Sequence, residues 1–78
     1  MELKDRLREV RKMKNETQVD AARVLGIAQN QYSRYENGTD LNHRYLTILC
    51  EHWNISADYV LGLTDTPSPI HREPPVSN

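Results

Sequence analysis

Three histidines, one cysteine and eleven carboxylates are the residues from which catalysis or metal binding would be built in this 78-residue sequence. They do not assemble. His43 and His52 are nine positions apart on one amphipathic segment, about 900° of helical rotation, which puts them on opposite faces. His71 falls in a proline-rich stretch. Cys50 lies within an apolar stripe, Leu46, Leu49, Cys50 and Trp53, where it reads as a small core residue rather than a nucleophile or ligand. No Ser/His/Asp grouping, carboxylate pair or phosphate-binding loop stands out, so the expectation is a non-enzyme with no metal and no cofactor. What remains is hydrogen-bonding chemistry. Gln29 and Asn30, with Ser33 and Arg34 one turn on, are the polar residues left over on a segment whose apolar side carries Ile27, Tyr32 and Tyr35.

Short helices must position those residues. Leu3, Leu7 and Val10 recur at helical spacing, which predicts an amphipathic helix over 2–13. Asn15 suits the left-handed turn that ends it. Thr17 is an N-cap for a second helix through Leu25, with Asp20 near its positive end and Gly26 as its stop. A third segment over 29–37 ends at Gly38, and a fourth over 42–53 carries the Leu46/Leu49/Cys50/Trp53 stripe. Ser56 caps a last turn over 57–61 that Gly62 closes. No segment alternates apolar and polar residues as a half-buried strand does. The predicted class is all-α with five helices.

All four prolines, Pro67, Pro69, Pro74 and Pro75, follow Thr66. Residues 1–66 are therefore expected to form the domain and 67–78 a disordered tail. A lone cysteine excludes an internal disulfide framework. The lack of a long apolar run or signal-like N-terminus predicts a cytoplasmic location without membrane attachment. Net charge is −1 and pI about 6.3, which at first argues against nucleic acid, whose partners usually have a pI above about 9. The charge is unevenly spread. Residues 1–38 hold eight Lys/Arg against six acids, or +2, and residues 39–78 hold two against five, or −3.

The stretch from Gln18 to Tyr35 has the pattern of two short helices crossing steeply. Ala22 is small where they touch, Gly26 makes the turn, and Ile27, Tyr32 and Tyr35 fasten the second helix to the first. These residues resemble the lambda-repressor-like (Cro/repressor, XRE) helix-turn-helix family, and the resemblance runs from about Leu3 to Asp65. Leu7-x-x-Val10-Arg11 followed by Thr17-Gln18 resembles that family's opening. Asn54-Ile55-Ser56-Ala57-Asp58-Tyr59-Val60-Leu61-Gly62-Leu63-Thr64-Asp65 resembles the closing segment of many prophage-type members.

The resemblance implies a five-helix domain that places its third helix in the DNA major groove. Gln29, Asn30, Ser33 and Arg34 would then contact bases, because Asn and Gln amides match adenine and Arg matches guanine. Thr17, Gln18, Asn37 and Thr39 would hold the backbone, aided by helix N-termini. Arg11 and Glu36 match a family pair and are expected to form a structural salt bridge. The partner would be a double-stranded operator with two half-sites bound by a homodimer, and the activity transcriptional regulation, most simply repression. A restriction–modification controller or an antitoxin would share the fold, as would a protein-interaction module that has lost DNA binding.

Departures from the family are specific. Ala28 replaces a common Ser cap, Glu16 a common leucine, and the 38–41 loop is one residue short and lacks a proline. Tyr32 and Tyr35 replace aliphatics, so their hydroxyls need partners or exposure at the groove. The Lys and Arg residues of the first helix, interleaved with Glu2, Asp5 and Glu9, read as a solvated face. Tyr45, Ile48 and His52 form a second stripe on the fourth helix, for the final turn or a second subunit to cover.

Overall fold

The computed structural model describes residues 2–70. Within them the chain forms α1 (Leu3–Met13), α2 (Gln18–Leu25), α3 (Gln29–Glu36), α4 (His43–Trp53) and α5 (Ala57–Val60), with no strand among the described residues. Each helix lies within a residue or two of its predicted range. The expected tail falls partly outside the described residues. Residues 67–70 have no regular secondary structure, and the Ser68 carbonyl accepts a 2.9 Å bond from the Ser56 N–H.

Caps set the boundaries. Thr17 accepts from the Asp20 N–H while the Asp20 carboxylate accepts from the Thr17 N–H, a reciprocal capping box. Asn42 and Ser56 accept from the N–H groups of Tyr45 and Tyr59 in the same way. Asn15 and Asn54 take the left-handed conformation after α1 and α4. Gly26 does so after α2 at φ 71°, and a Cβ there would meet nothing within 4 Å. Backbone conformation, rather than space, is what requires glycine at that turn.

α2 packs on α3 and α4, α1 on α3 and α5, and α4 on α5. One core joins them: Leu7 and Val10 from α1, Ala21 and Ala22 from α2, Tyr32 and Tyr35 from α3, Leu49, Cys50 and Trp53 from α4, and Tyr59 and Val60 from α5. Burial raises the Cys50 thiol to about 11, in keeping with a core thiol.

The sequence view of α1 as a solvated basic face needs correction. Arg6 is buried, its guanidinium 4.0 Å over the Tyr59 ring and 2.6 Å from the Asp65 carboxylate. Tyr59 also donates to Glu9, so α5 is fastened to α1 by charged groups as well as by packing. Glu16, where the family commonly has a leucine, binds α4 through its carboxylate. Its carboxylate accepts from the Trp53 indole N–H at 2.9 Å and meets the His52 ring nitrogen at 2.7 Å. Tyr45 meets Tyr35 edge-on, with ring centroids 6.0 Å apart. Tyr45 and His52 of the second α4 stripe thus find partners on α3 and the α1–α2 loop.

Candidate nucleic-acid interface

α2 and α3 bring their first residues together. The capping box consumes the Thr17 and Asp20 N–H groups, but those of Gln18 and Val19 have no acceptor within the helix. Ala28, at φ −72° and ψ 150°, has the backbone of an N-cap without a side chain to serve as one. The N–H groups of Gln29 and Asn30 are therefore open as well. Two helix N-termini with unspent donors lie side by side, a favourable setting for phosphate oxygens.

Gln29, Asn30 and Arg34 are exposed, and Ser33 is half-buried. Asn30 and Arg34 line a shallow groove with Gln31, Tyr35 and Thr39. The Arg34 guanidinium engages no carboxylate among the described residues, whereas Glu36 is taken up by other cations. Asn37 directs its amide donors to the Ser33 carbonyl (2.9 Å) and hydroxyl (3.4 Å). A phosphate bound by Asn37 would have to displace those bonds. The Thr39 N–H closes the end of α3 on the Arg34 carbonyl at 2.9 Å, leaving the Thr39 side chain exposed beside the groove.

Beneath this surface lies a buried ion pair. Glu36 is 1% exposed. Its Oε2 accepts from Arg11 Nε at 2.7 Å and its Oε1 from Arg11 Nη2 at 3.1 Å. Arg11 also donates to the Glu16 carbonyl at 2.8 Å. Burial pushes the Glu36 carboxyl up, but hydrogen bonds from Arg11 and Gln18 outweigh that effect and hold it below its ordinary value. Tyr32, fully buried beside the pair, places its hydroxyl in the field of Glu36 without meeting hydrogen-bond geometry. Burial and the nearby carboxylate raise its pKa.

Three features here escaped the sequence reading. Arg8 donates to the Glu36 carbonyl at 3.0 Å. Gln18 donates to Glu36 Oε1 at 3.1 Å, and Gln29 donates to Gln18 Oε1 at 3.1 Å. Only the i,i+4 spacing of Arg34 and Asn30, and the adjacency of Gln29 and Asn30, were visible locally. The Gln18–Gln29 contact depends on the angle between two helices, which no spacing encodes.

Among the described residues no group of three His, Cys, Asp or Glu is placed to hold a metal ion, and no helix is long and apolar enough to cross a membrane. The family model for helix-turn-helix proteins matches residues 7–60. The chain is 34% identical over 65 residues to the antitoxin PezA of Streptococcus pneumoniae, spanning 82% of this chain and 41% of that protein. It is 40% identical over 65 residues to the uncharacterized HTH-type transcriptional regulator YobD of Bacillus subtilis, spanning 82% of this chain and 58% of that one. The chain thus spans about two-fifths and three-fifths of the lengths of these two relatives. No solved structure matches. With five helices in this order and the matched segment covering α2, its turn and α3, the chain belongs to the XRE-type helix-turn-helix family.

Proposed function

We propose that the protein is a sequence-specific DNA-binding transcriptional regulator that reads the major groove with α3, most simply a repressor acting by operator occupancy. The observation that carries this reading is the pairing of Gln18 and Gln29 across the open N-termini of α2 and α3. In this reading one amide would meet a phosphate and the other a base edge. Asn30, Ser33 and Arg34 extend the base-reading surface along α3, and Thr17, Asn37 and Thr39 flank it as backbone contacts. The similarity to a transcriptional regulator over 82% of the chain points the same way. A homodimer on two half-sites, in the cytoplasm, goes with this mode of action. Leu61 and Leu63, 44% and 74% exposed after α5, are apolar side chains that a second subunit could cover.

Selection of bound duplexes from a random pool tests the reading. An enriched motif is expected, in two half-sites about one helical turn apart or a multiple of that. Gln29→Ala should relax preference at one base pair of each half-site, and Gln18→Ala should weaken binding to selected and random duplexes. Failure to enrich any sequence would overturn the assignment.

A second reading, as an antitoxin, is favoured by the similarity to PezA. Co-purification of a tightly bound second protein encoded beside this one would support it, and DNA binding would then serve autoregulation.

A further inference from the structure

A carboxylate that never reaches the surface sits two hydrogen bonds from the outermost amide of α3. Glu36 Oε1 accepts from Gln18 Nε2, and Gln18 Oε1 accepts from Gln29 Nε2, each at 3.1 Å. An ionised carboxylate only accepts. Gln18 must therefore turn its NH2 group toward Glu36, leaving its carbonyl oxygen as the atom that faces Gln29. That oxygen also only accepts, so Gln29 must turn its own NH2 toward Gln18. Amide orientation is ordinarily ambiguous, but here the polarity of the chain is dictated from its buried end. Arg11, which can only donate, fixes that end by binding both Glu36 oxygens.

We propose that Glu36 is a positioning residue for recognition: through Gln18 it fixes which edge of the Gln29 amide faces the groove, and so selects adenine over guanine. The proposal rests on the reading of Gln29 as a base contact. With one N–H held by Gln18, Gln29 offers a single remaining N–H beside a free carbonyl oxygen. That donor–acceptor edge matches adenine N7 and N6–H2. Guanine presents two acceptors, N7 and O6, and its O6 would face the Gln29 carbonyl. A Gln29 released from the relay can rotate its NH2 group outward and lose this discrimination.

The polarity makes an unusual prediction for Glu36→Gln. Arg11 would claim the new carbonyl oxygen, leaving an NH2 group toward Gln18, and every amide in the relay would reverse. Gln18→Met cuts the relay at its middle link while leaving the Arg11–Glu36 pair in place. Both variants are compared with the unaltered protein on half-sites carrying adenine or guanine at the base pair whose preference Gln29→Ala abolishes. Circular dichroism fixes a temperature at which each variant is folded. Because the readout is a ratio of affinities, a general loss of phosphate binding cancels.

The adenine-to-guanine ratio is expected to fall by about fivefold or more in each variant, the lower end of what a bidentate base contact confers. In a Gln29→Ala background Glu36→Gln should leave the ratio unchanged, which a merely structural role for Glu36 would not require. If Glu36→Gln does not fold, Gln18→Met decides alone. Retention of the ratio in the folded variants while Gln29→Ala loses it overturns the relay and spares the base contact. A preference at that base pair for anything but adenine also overturns the relay. If Gln29→Ala changes no base preference, the base contact fails and the relay with it.

Discussion

Glu36 shows how one side chain can serve stability and surface geometry together. Taking a carboxylate out of water costs several kcal/mol unless its oxygens are well occupied. Its oxygens are occupied, by Arg11 on both and by Gln18 on one, with Arg8 Nε at 3.7 Å. The sign of the resulting pH dependence follows from the depressed pKa. The unfolded chain takes up its proton at the ordinary value of 4.5, while the folded one resists until the pH is lower. The stabilisation from Glu36 is therefore complete above the unfolded value and is lost as pH falls through the folded one. Urea midpoints should be flat from neutrality to about pH 5 and then fall with acid, as expected for a paired carboxylate. Glu36→Gln should lower the neutral midpoint and flatten the acid limb. Asp20, whose pKa the Thr17 N–H lowers from the exposed capping box, would account for the slope that remains. An unchanged acid limb in Glu36→Gln would show that the pair does not couple folding to pH.

At the scale of elements, α3 is the only helix among α2–α5 whose cap residue cannot accept a side-chain bond. Thr17, Asn42 and Ser56 each accept from the N–H three residues on. Ala28 already has the extended backbone that such a cap needs. Ala28→Ser should therefore add about 0.5–2 kcal/mol, its hydroxyl accepting from the Gln31 N–H without moving the chain. Chemical denaturation measures the gain, and no gain would mean that the α3 N-terminus is held by other means. The α1–α2 loop makes the complementary case. Glu16→Ala would leave the Trp53 indole N–H, on a residue 2% exposed, without its acceptor, at a cost of about 1–3 kcal/mol. Glu16→Gln keeps an acceptor there and should lose much less. Equal losses would assign the effect to the His52 contact instead. Local chemistry made these elements legible: Thr17, Ser56, Asn15 and Gly26 are all short-range signals, and the structure uses each at its expected end, while Asn42, read as the first residue of the fourth helix, is its cap instead. The role of Glu16 was hidden because Trp53 is 37 residues away in the chain. Arg6 was misread for the same reason: nothing near it in sequence announces the Tyr59 ring. The Arg11–Glu36 pairing came from family resemblance, not from spacing, and its extension through Gln18 to Gln29 needed the crossing of α2 and α3.

For the whole molecule, the near-neutral charge becomes more restrictive once the structure is known. The N-terminal half carries eight cations and a net +2, but three of the eight are spent internally. Arg6 lies on Tyr59 and Asp65, while Arg8 and Arg11 converge on Glu36. Arg34 is the one cation within α3. On the proposed reading, phosphate contacts would come chiefly from neutral groups: Gln18, Thr39 and the open N–H groups of α2 and α3. Neutral donors bind phosphate without neutralising it, so they release few counterions. Affinity for the selected operator should fall with salt at a log–log slope no steeper than about −3 per bound domain, corresponding to roughly three neutralised phosphates. Binding to random duplexes should be weak at low salt, because the sequence-independent part of the affinity is mainly electrostatic. Titrations on selected and random duplexes between about 50 and 200 mM salt measure both quantities. A slope beyond about −5 per domain would require a cationic surface that these side chains do not supply, since each unit of slope needs roughly one more neutralised phosphate. Discrimination between bases would then matter less than the charge. With a shallow slope, specificity would rest on a few amides whose orientation the fold must control, and the relay we propose beneath Gln29 would exert that control through the Gln18–Glu36 and Gln29–Gln18 bonds.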